Sequence, residues 1–490
     1  MPDAMTGPAA LAPRLRAVCG ADGVVTDPAR RRTYESDGIT YHSAVPGIVV
    51  LPETTGQVAA VVRLCAEHGV PFVPRGSGTG LSGGALPRPD GVLVVTSRMR
   101  RVIEVDIPNE RAVVQPGVFN LDVTRAAAPH GYHYAPDPSS RQVCSVGGNI
   151  AENSGGAHCL KYGFTVNHVT GLEIVTPRGD VVRLGGKAPD APGYDLIGVF
   201  VGSEGTLGIA TEITVRLTRA PQRTSTLLAA FPTMDAGGRA VSAIIAAGVL
   251  PAAVEMMDAL AVEAAEAAVR CGYPEGAGAV LIVELDGAAE DVAAQFEAVT
   301  ALCRAAGAFA VRAADDPAER ARIWKGRRSA FAAVGRISPA YIVQDGVVPR
   351  TALGGVLARI SELSARSGIR VANVFHAGDG NLHPLVLFDD AEPGAAERAA
   401  EVSGAILDLC VEHGGSITGE HGVGVDKACH MPRMFSDDDL ATMDLFRRAF
   451  DPDGIANPEK VLPTPRLCGE RPGVVRGEHP LVASGQAELF

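Results

Sequence analysis

The chain reads as an α+β protein of two successive domains, and three observations predict it. Between residues 46 and 222, short Val- and Ile-rich strand patterns are interspersed with helices, without the regular strand–helix repeat of a doubly wound sheet. The same stretch carries three loops crowded with Gly, Ser and Asn. Near residue 222 the composition shifts to longer strand–helix units, which predict a second α+β domain built on one antiparallel sheet.

Residues 1–45 read as short helices and loops. Residues 47–52 form a strand stopped by Pro52, and 54–68 a helix with Thr54 or Thr55 as N-cap. A strand over 71–74 runs into a glycine loop at 76–84. Strands follow at 91–96, 101–105 and 111–114, then a Gly/Asn/Ser-rich stretch at 145–156, then strands at 171–175, 181–184 and 208–217. The second domain is predicted to place strands at 224–231, 279–285 and 341–348 and helices at 234–247, 288–306, 350–367 and 391–413. Two further strands around a turn occupy 370–388. A last helix over 437–449 leads to Asp451-Pro452 and Asn457-Pro458, and the tail after Pro463 is rich in Gly, Pro and charge.

Composition excludes several function classes. Forty-four Lys and Arg against 56 Asp and Glu give a net charge of -12, which argues against nucleic acid, since neutralising phosphates needs a basic face. No apolar run approaches the roughly 20 residues of a membrane span, and residues 1–22 lack the apolar core of a signal peptide. The nine cysteines are scattered, with no C-x-x-C. They fit a reduced, cytoplasmic setting and rule out an iron–sulfur cluster of the usual kind within this chain.

The first glycine loop, Arg75-Gly76-Ser77-Gly78-Thr79-Gly80-Leu81-Ser82-Gly83-Gly84, contains a G-x-G-x-x-G match after a strand. A dinucleotide fold needs a helix to open within those glycines. Gly84, Pro87 and Pro89 forbid one here. The loop reads instead as a non-helical anion cradle, with converging backbone N–H groups and the hydroxyls of Ser77, Thr79 and Ser82. Two more blocks repeat the character: Pro136-Asp137-Pro138-Ser139-Ser140 leading into residues 144–156, and Gly202-Ser203-Glu204-Gly205-Thr206-Leu207-Gly208. Several such loops in one domain point to a long cofactor lying against main chain, where a Cβ would clash.

Read together, these blocks resemble the FAD-binding domain of the vanillyl-alcohol-oxidase/p-cresol-methylhydroxylase superfamily. Within it they resemble the FAD-linked D subunits of bacterial glycolate oxidases, from about residue 45 to the tail, including Trp324-Lys325-Gly326-Arg327 and Asp451-Pro452-Asp453-Gly454. The resemblance implies a two-part FAD domain over 46–222 preceded by an N-terminal segment 1–45. It further implies a substrate-capping domain over 223–440, a C-terminal segment 441–465 returning to the flavin, and a tail 466–490. The FAD-contacting residues it implies are Arg75, Gly76, Ser77, Gly78, Thr79, Gly80, Ser82, Pro136, Asp137, Ser140, Gly147, Gly148, Asn153, Gly155, Glu204, Gly208, Ile209 and Asn457. Relatives with covalent flavin carry a histidine in the first glycine loop. Thr79 stands in that region here, so non-covalent FAD is expected.

A second constellation lies at Val374-Phe375-His376-Ala377-Gly378-Asp379-Gly380-Asn381-Leu382-His383. Asp379-Gly380 between apolar runs predicts a two-residue hairpin turn, which sets His376 opposite His383. Cβ atoms of opposed residues lie about 4.5–5.5 Å apart, close enough for both rings to hold one ion at roughly 2.1 Å. Glu420 or His421, in Gly419-Glu420-His421-Gly422, offers a third ligand. A histidine pair on a hairpin is more often ordinary surface or core. The resemblance decides between the readings, because in related D-2-hydroxy-acid dehydrogenases the residues matching His376, His383 and Glu420 bind a divalent metal and the one matching His421 is the base. Zinc is the first choice, and manganese or iron suit the same ligands. Arg327 or Arg328 is positioned to clamp a carboxylate, and Arg327 matches the W-x-x-R of the family. The implied reaction is flavin-dependent oxidation of a small 2-hydroxy acid, glycolate to glyoxylate. Electrons would pass to an iron–sulfur and a second flavin subunit or to a quinone, with any attachment to the inner membrane made through those subunits. D-lactate dehydrogenase of the same family, a non-catalytic flavin relay subunit and a zinc hydrolase are the competing readings.

Overall fold

The computed structural model describes residues 7–39, 41–188, 193–314 and 316–463. The predicted tail 466–490 lies outside them. The first domain holds two main sheets. In one, Ile48–Val50 and Phe72–Arg75 run parallel on either side of Val92–Val95, with Val24–Val25 as an antiparallel edge. The other is antiparallel, in the order Val102–Asp106, Arg111–Val114, Ile209–Arg216, Val169–Val175, Val181–Gly185. The helix Thr55–Glu67 packs Val58, Val61, Val62 and Cys65 into the first sheet's core, and Thr54 caps it by accepting the Gln57 N–H.

The second domain is one antiparallel sheet in the order Ala310–Ala314, Arg223–Phe231, Ala279–Gly287, Ala253–Asp258, Val371–His376, Asn381–Phe388, Ala340–Val343, with Gly346–Val347 also paired to Asn381–Phe388. Both of its faces are covered. Leu227, Ala229 and Phe231 point into one core with Val283 and Ile406, while Leu228 and Ala230 point into the other with Ile282 and Trp324. Double burial explains why these strands read as continuous apolar runs instead of alternating ones. The strand Ala253–Asp258 and the helix Ala259–Val269 were not expected, because their apolar and Ala-rich stretches carry little periodic contrast.

Three expectations need correction. The stretch 145–156 is not all loop: Val146–Glu152 is a helix capped by Ser145, whose Oγ accepts the Gly148 N–H, and it ends at Asn153 in the left-handed region at φ 52°. The strand expected over 341–348 breaks at Gln344-Asp345, which turns the Asp345 carboxylate inward. The hairpin turn spans four residues, 377–380, so His376 pairs with Asn381 and His383 with Val374. This two-residue slip keeps both histidines on one face, because side chains alternate with period two.

The domains are joined on one side by a charged cluster. His158 Nδ1 lies 2.9 Å from Asp137 and Nε2 3.2 Å from Glu284 of the capping sheet, and Glu284 also accepts from Trp324 Nε1 and Thr226 Oγ1. Burial by itself lowers the His158 pKa, but Asp137 and then Glu284 overcome it and raise the value to about 10. A folded pKa above the unfolded value of roughly 6.5 stabilises fully below that pH and is lost as pH rises through the folded pKa. Thermal melts of the parent and His158→Gln should therefore differ most near pH 6 and converge toward pH 10, with a gap independent of pH contradicting the ion pair.

Candidate active site

A cleft of about 800 Å³ runs between the two domains, and its walls come from both. Arg75, Gly76, Ser77, Gly78, Thr79, Gly80, Ser140, Gly147, Gly148, Glu204, Gly208 and Ile209 line it, and so do His383, Glu420 and His421. The glycines bring main chain close together: a Cβ on Gly76 would sit 2.3 Å from Ser145 Oγ and 3.2 Å from the Gly148 nitrogen, so two of the glycine blocks abut. Bare backbone N–H groups facing an elongated cavity suit a diphosphate-bearing cofactor.

The other expected cofactor residues stand behind the wall. Ser82 is fully buried, and its carbonyl accepts the Val425 and Asp426 N–H groups. Asp137 is engaged by His158, and Pro136 is buried beside it. Asn153 accepts the Val166 N–H through Oδ1. Gly155 makes room for a ligand residue, since a Cβ there would lie 2.9 Å from Glu420 Oε2. Asn457 donates through Nδ2 to the carbonyls of Gly84 and Glu204, which ties the C-terminal segment to two of the loops. That segment also docks on the first sheet, where Phe72 N bonds Ile455 O and Asn457 N bonds Phe72 O.

At the capping end, His376 Nε2 and His383 Nε2 each lie 3.1 Å from Glu420 Oε1, and the two rings cross nearly at right angles with centroids 5.0 Å apart. One donor atom from each of the three falls within 4.8 Å of the others, so the set fits a single divalent ion. Burial pushes the Glu420 carboxyl up, but the His376 and His383 rings outweigh it and hold it ionised, well below the usual range. His421 stacks on His383 at 5.0 Å and 12°, and its Nδ1 is buried without a partner. Burial lowers its pKa to about 4, so the imidazole is neutral near pH 7.

Several residues that position this set escaped the sequence reading. Asp345 is completely buried, and its carboxylate accepts the Thr418 hydroxyl at 2.6 Å and the backbone N–H groups of Gly419, Glu420 and His421, with Lys427 Nζ at 3.3 Å. Glu204 accepts the Val423 and Gly424 N–H groups at 2.7 and 2.8 Å, binding the same loop to the first domain. Glu152 lines the cleft beside it, and burial and then Glu204 push its carboxyl well above the usual range. Arg327 does not line the cleft: it is 2% exposed, and its Nε donates to Glu255 Oε2 at 2.6 Å. Arg328 lies over the Trp324 ring at 5.5 Å. A buried Glu inside the apolar run Ala253–Asp258, and an Asp between two short strands, are the signals that were open to a closer reading.

Comparison with known proteins agrees with this division of labour. Residues 46–185 match the FAD binding domain family, and residues 220–461 match the C-terminal domain of FAD linked oxidases. The chain is 51% identical to the glycolate oxidase subunit GlcD of Escherichia coli (strain K12) over 89% of this chain and 88% of that one. It is 40% identical to GlcD of Bacillus subtilis (strain 168), over 91% and 96% of the two chains. A D-lactate dehydrogenase of Anaerostipes hadrus is 33% identical over 86% and 90%. Among solved structures, p-cresol methylhydroxylase with substrate bound superposes with TM-score 0.78 at 18% identity, covering 92% of this chain and 96% of that one, a likeness of fold. The chain belongs to the FAD-linked oxidases, as a flavoprotein oxidoreductase with an FAD-binding domain of the p-cresol methylhydroxylase type.

Proposed function

We propose that this enzyme oxidises glycolate to glyoxylate, using a divalent metal and non-covalent FAD in one cleft. A single observation carries the reading: the glycine-lined cavity ends on His383, Glu420 and His421. A flavin relay without catalysis has no use for that cluster, and a zinc hydrolase has no use for the glycine loops. Glycolate is favoured over D-lactate because the GlcD relatives stand at 51% and 40% identity and the D-lactate dehydrogenase at 33%.

The residues divide the work as follows. Glycine backbones at 76, 78, 80, 147 and 148 hold the diphosphate of FAD, which when bound supplies the acceptor for the C2 hydride. His376, His383 and Glu420 would hold the cation, zinc by first choice, which when bound would supply a Lewis acid to acidify the substrate's 2-hydroxyl. The neutral His421 imidazole accepts the hydroxyl proton as general base. We assign the substrate carboxylate to Arg327 through its match to the family's W-x-x-R; its terminal nitrogens make no hydrogen bond among the described residues, and they must open to the cleft to reach the substrate, since the residue is 2% exposed and stands outside the wall. Thr79, in the cleft wall where related enzymes carry a linking histidine, leaves the flavin without a covalent tether. No helix among the described residues is long and apolar enough to cross a membrane. We assign the electron exit to partner subunits, one with an iron–sulfur centre and one with a second flavin, in the cytoplasm or at the inner membrane surface.

Purified protein should be yellow and release all of its flavin into the supernatant on acid precipitation; flavin left on the precipitated chain contradicts the assignment of Thr79. Dye-linked turnover on glycolate, D-lactate, L-lactate and D-2-hydroxyglutarate should give the highest kcat/KM with glycolate, and a preference for D-lactate would move the enzyme to the other branch of the family. His421→Ala should retain FAD and metal and lose on the order of 10²–10⁴ in the rate of flavin reduction. Reduction at the parent rate would place the base elsewhere.

A further inference from the structure

Behind the three candidate metal ligands lies a second layer with one continuous line of short contacts. The Glu255 carboxylate is 1% exposed. Its Oε1 lies 2.6 Å from His376 Nδ1 and its Oε2 2.6 Å from Arg327 Nε. All three side chains are buried, His376 at 4% and Arg327 at 2% exposure. The strand Ala253–Asp258 pairs Glu255 directly with His376 across the sheet, so the contact is fixed by backbone register as well as by side-chain rotamer. The helix Pro317–Ala333 brings Arg327 to the opposite oxygen.

The chemistry of this line is specific. A carboxylate accepts hydrogen bonds only, so His376 must carry its proton on Nδ1, and Nε2 is the nitrogen turned toward Glu420 and His383. Glu255 is fully buried, and a lone carboxylate there would be costly without a cation. Arg327 thus engages Glu255 through Nε alone, and the substrate role assigned to it above falls to its terminal nitrogens.

We propose that Glu255 is a positioning residue that couples Arg327 to His376, so that the arginine which anchors the substrate also sets the affinity of the metal site. Neither Glu255 nor Arg327 is among the three ligands, yet both govern how tightly the ion is held. The inference rests on the metal reading above. The strength of the coupling lies in geometry: removing Nε of Arg327 releases Oε2, and the freed carboxylate no longer has a fixed pose against the imidazole.

The test is metal affinity of the FAD-loaded protein, measured with zinc against a chromogenic chelator, for the parent, Glu255→Gln, Arg327→Lys and Arg328→Lys. Glu255→Gln should weaken zinc by about 10–100-fold, the range for loss of an outer-shell partner. Arg327→Lys should weaken it severalfold although lysine keeps the charge, while Arg328→Lys, which lies over Trp324, should leave it unchanged. Flavin absorbance and the melting temperature report folding of each variant, and Glu255→Asp gives a second, charge-retaining probe that should fall between parent and Glu255→Gln. Parent protein that binds no zinc overturns the metal reading itself. Parent that binds zinc while Arg327→Lys binds it equally well overturns the coupling, and equal binding by Glu255→Gln overturns the role of Glu255.

Discussion

One buried carboxylate, Asp345, sets the position of both Glu420 and His421. Asp345 has no solvent contact, and four donors from residues 418–421 converge on it, together with Lys427. Consecutive N–H groups of an irregular loop have no ladder to pair with, and buried donors left unpaired cost about 1–3 kcal/mol each. Asp345 satisfies them as a group and so dictates the loop's path. With the main chain fixed, Glu420 points to the two histidines and the adjacent His421 stacks on the His383 ring. The break in the strand at 344–345 takes Asp345 out of the ladder and leaves its carboxylate on this loop.

The same loop is held from the other side by Glu204, whose carboxylate takes the N–H groups of Val423 and Gly424 beyond Gly422. Asn457 clasps Glu204 by its carbonyl and reaches the first glycine loop through Gly84. Cofactor loops, capping loop and C-terminal segment thus share one buried polar network at the domain seam. Networks of this kind specify a single arrangement because each half-satisfied alternative is penalised. The His158 cluster closes the seam elsewhere with charges on Asp137 and Glu284. The two domains are consequently a preorganised pair, and the cleft between them is a built feature of the fold.

Much of this was legible in the residues. Thr54 caps its helix as expected, the helices expected from 234 and 437 begin where they were placed, and the glycine blocks define the cleft wall. His376 and His383 converge as their spacing suggested, although through a four-residue turn, and Glu420 and His421 join them as the resemblance implied. What escaped were contacts made by distant partners. Glu255 lies 121 residues from His376 and Asp345 73 residues from Thr418, so the sequence marks these acids only by their place within or between apolar strands and does not mark their partners. Asn153 and Ser82 were grouped with the cofactor residues because they sit inside glycine-rich blocks. Asn153 Oδ1 and the Ser82 carbonyl hold the blocks in shape. Composition identifies such a loop, but the choice between lining and bracing is made by the fold around it.

The account stands on flavin and metal acting on one substrate in one cavity. Its most direct test is anaerobic mixing of glycolate with the purified protein, following flavin absorbance, before and after removal of metal by a chelator and again after metal is restored. The account predicts prompt bleaching of the metal-loaded protein, retention of oxidised FAD without bleaching in the chelated protein, and recovery on adding the ion back. Bleaching of metal-free protein at the parent rate would contradict it.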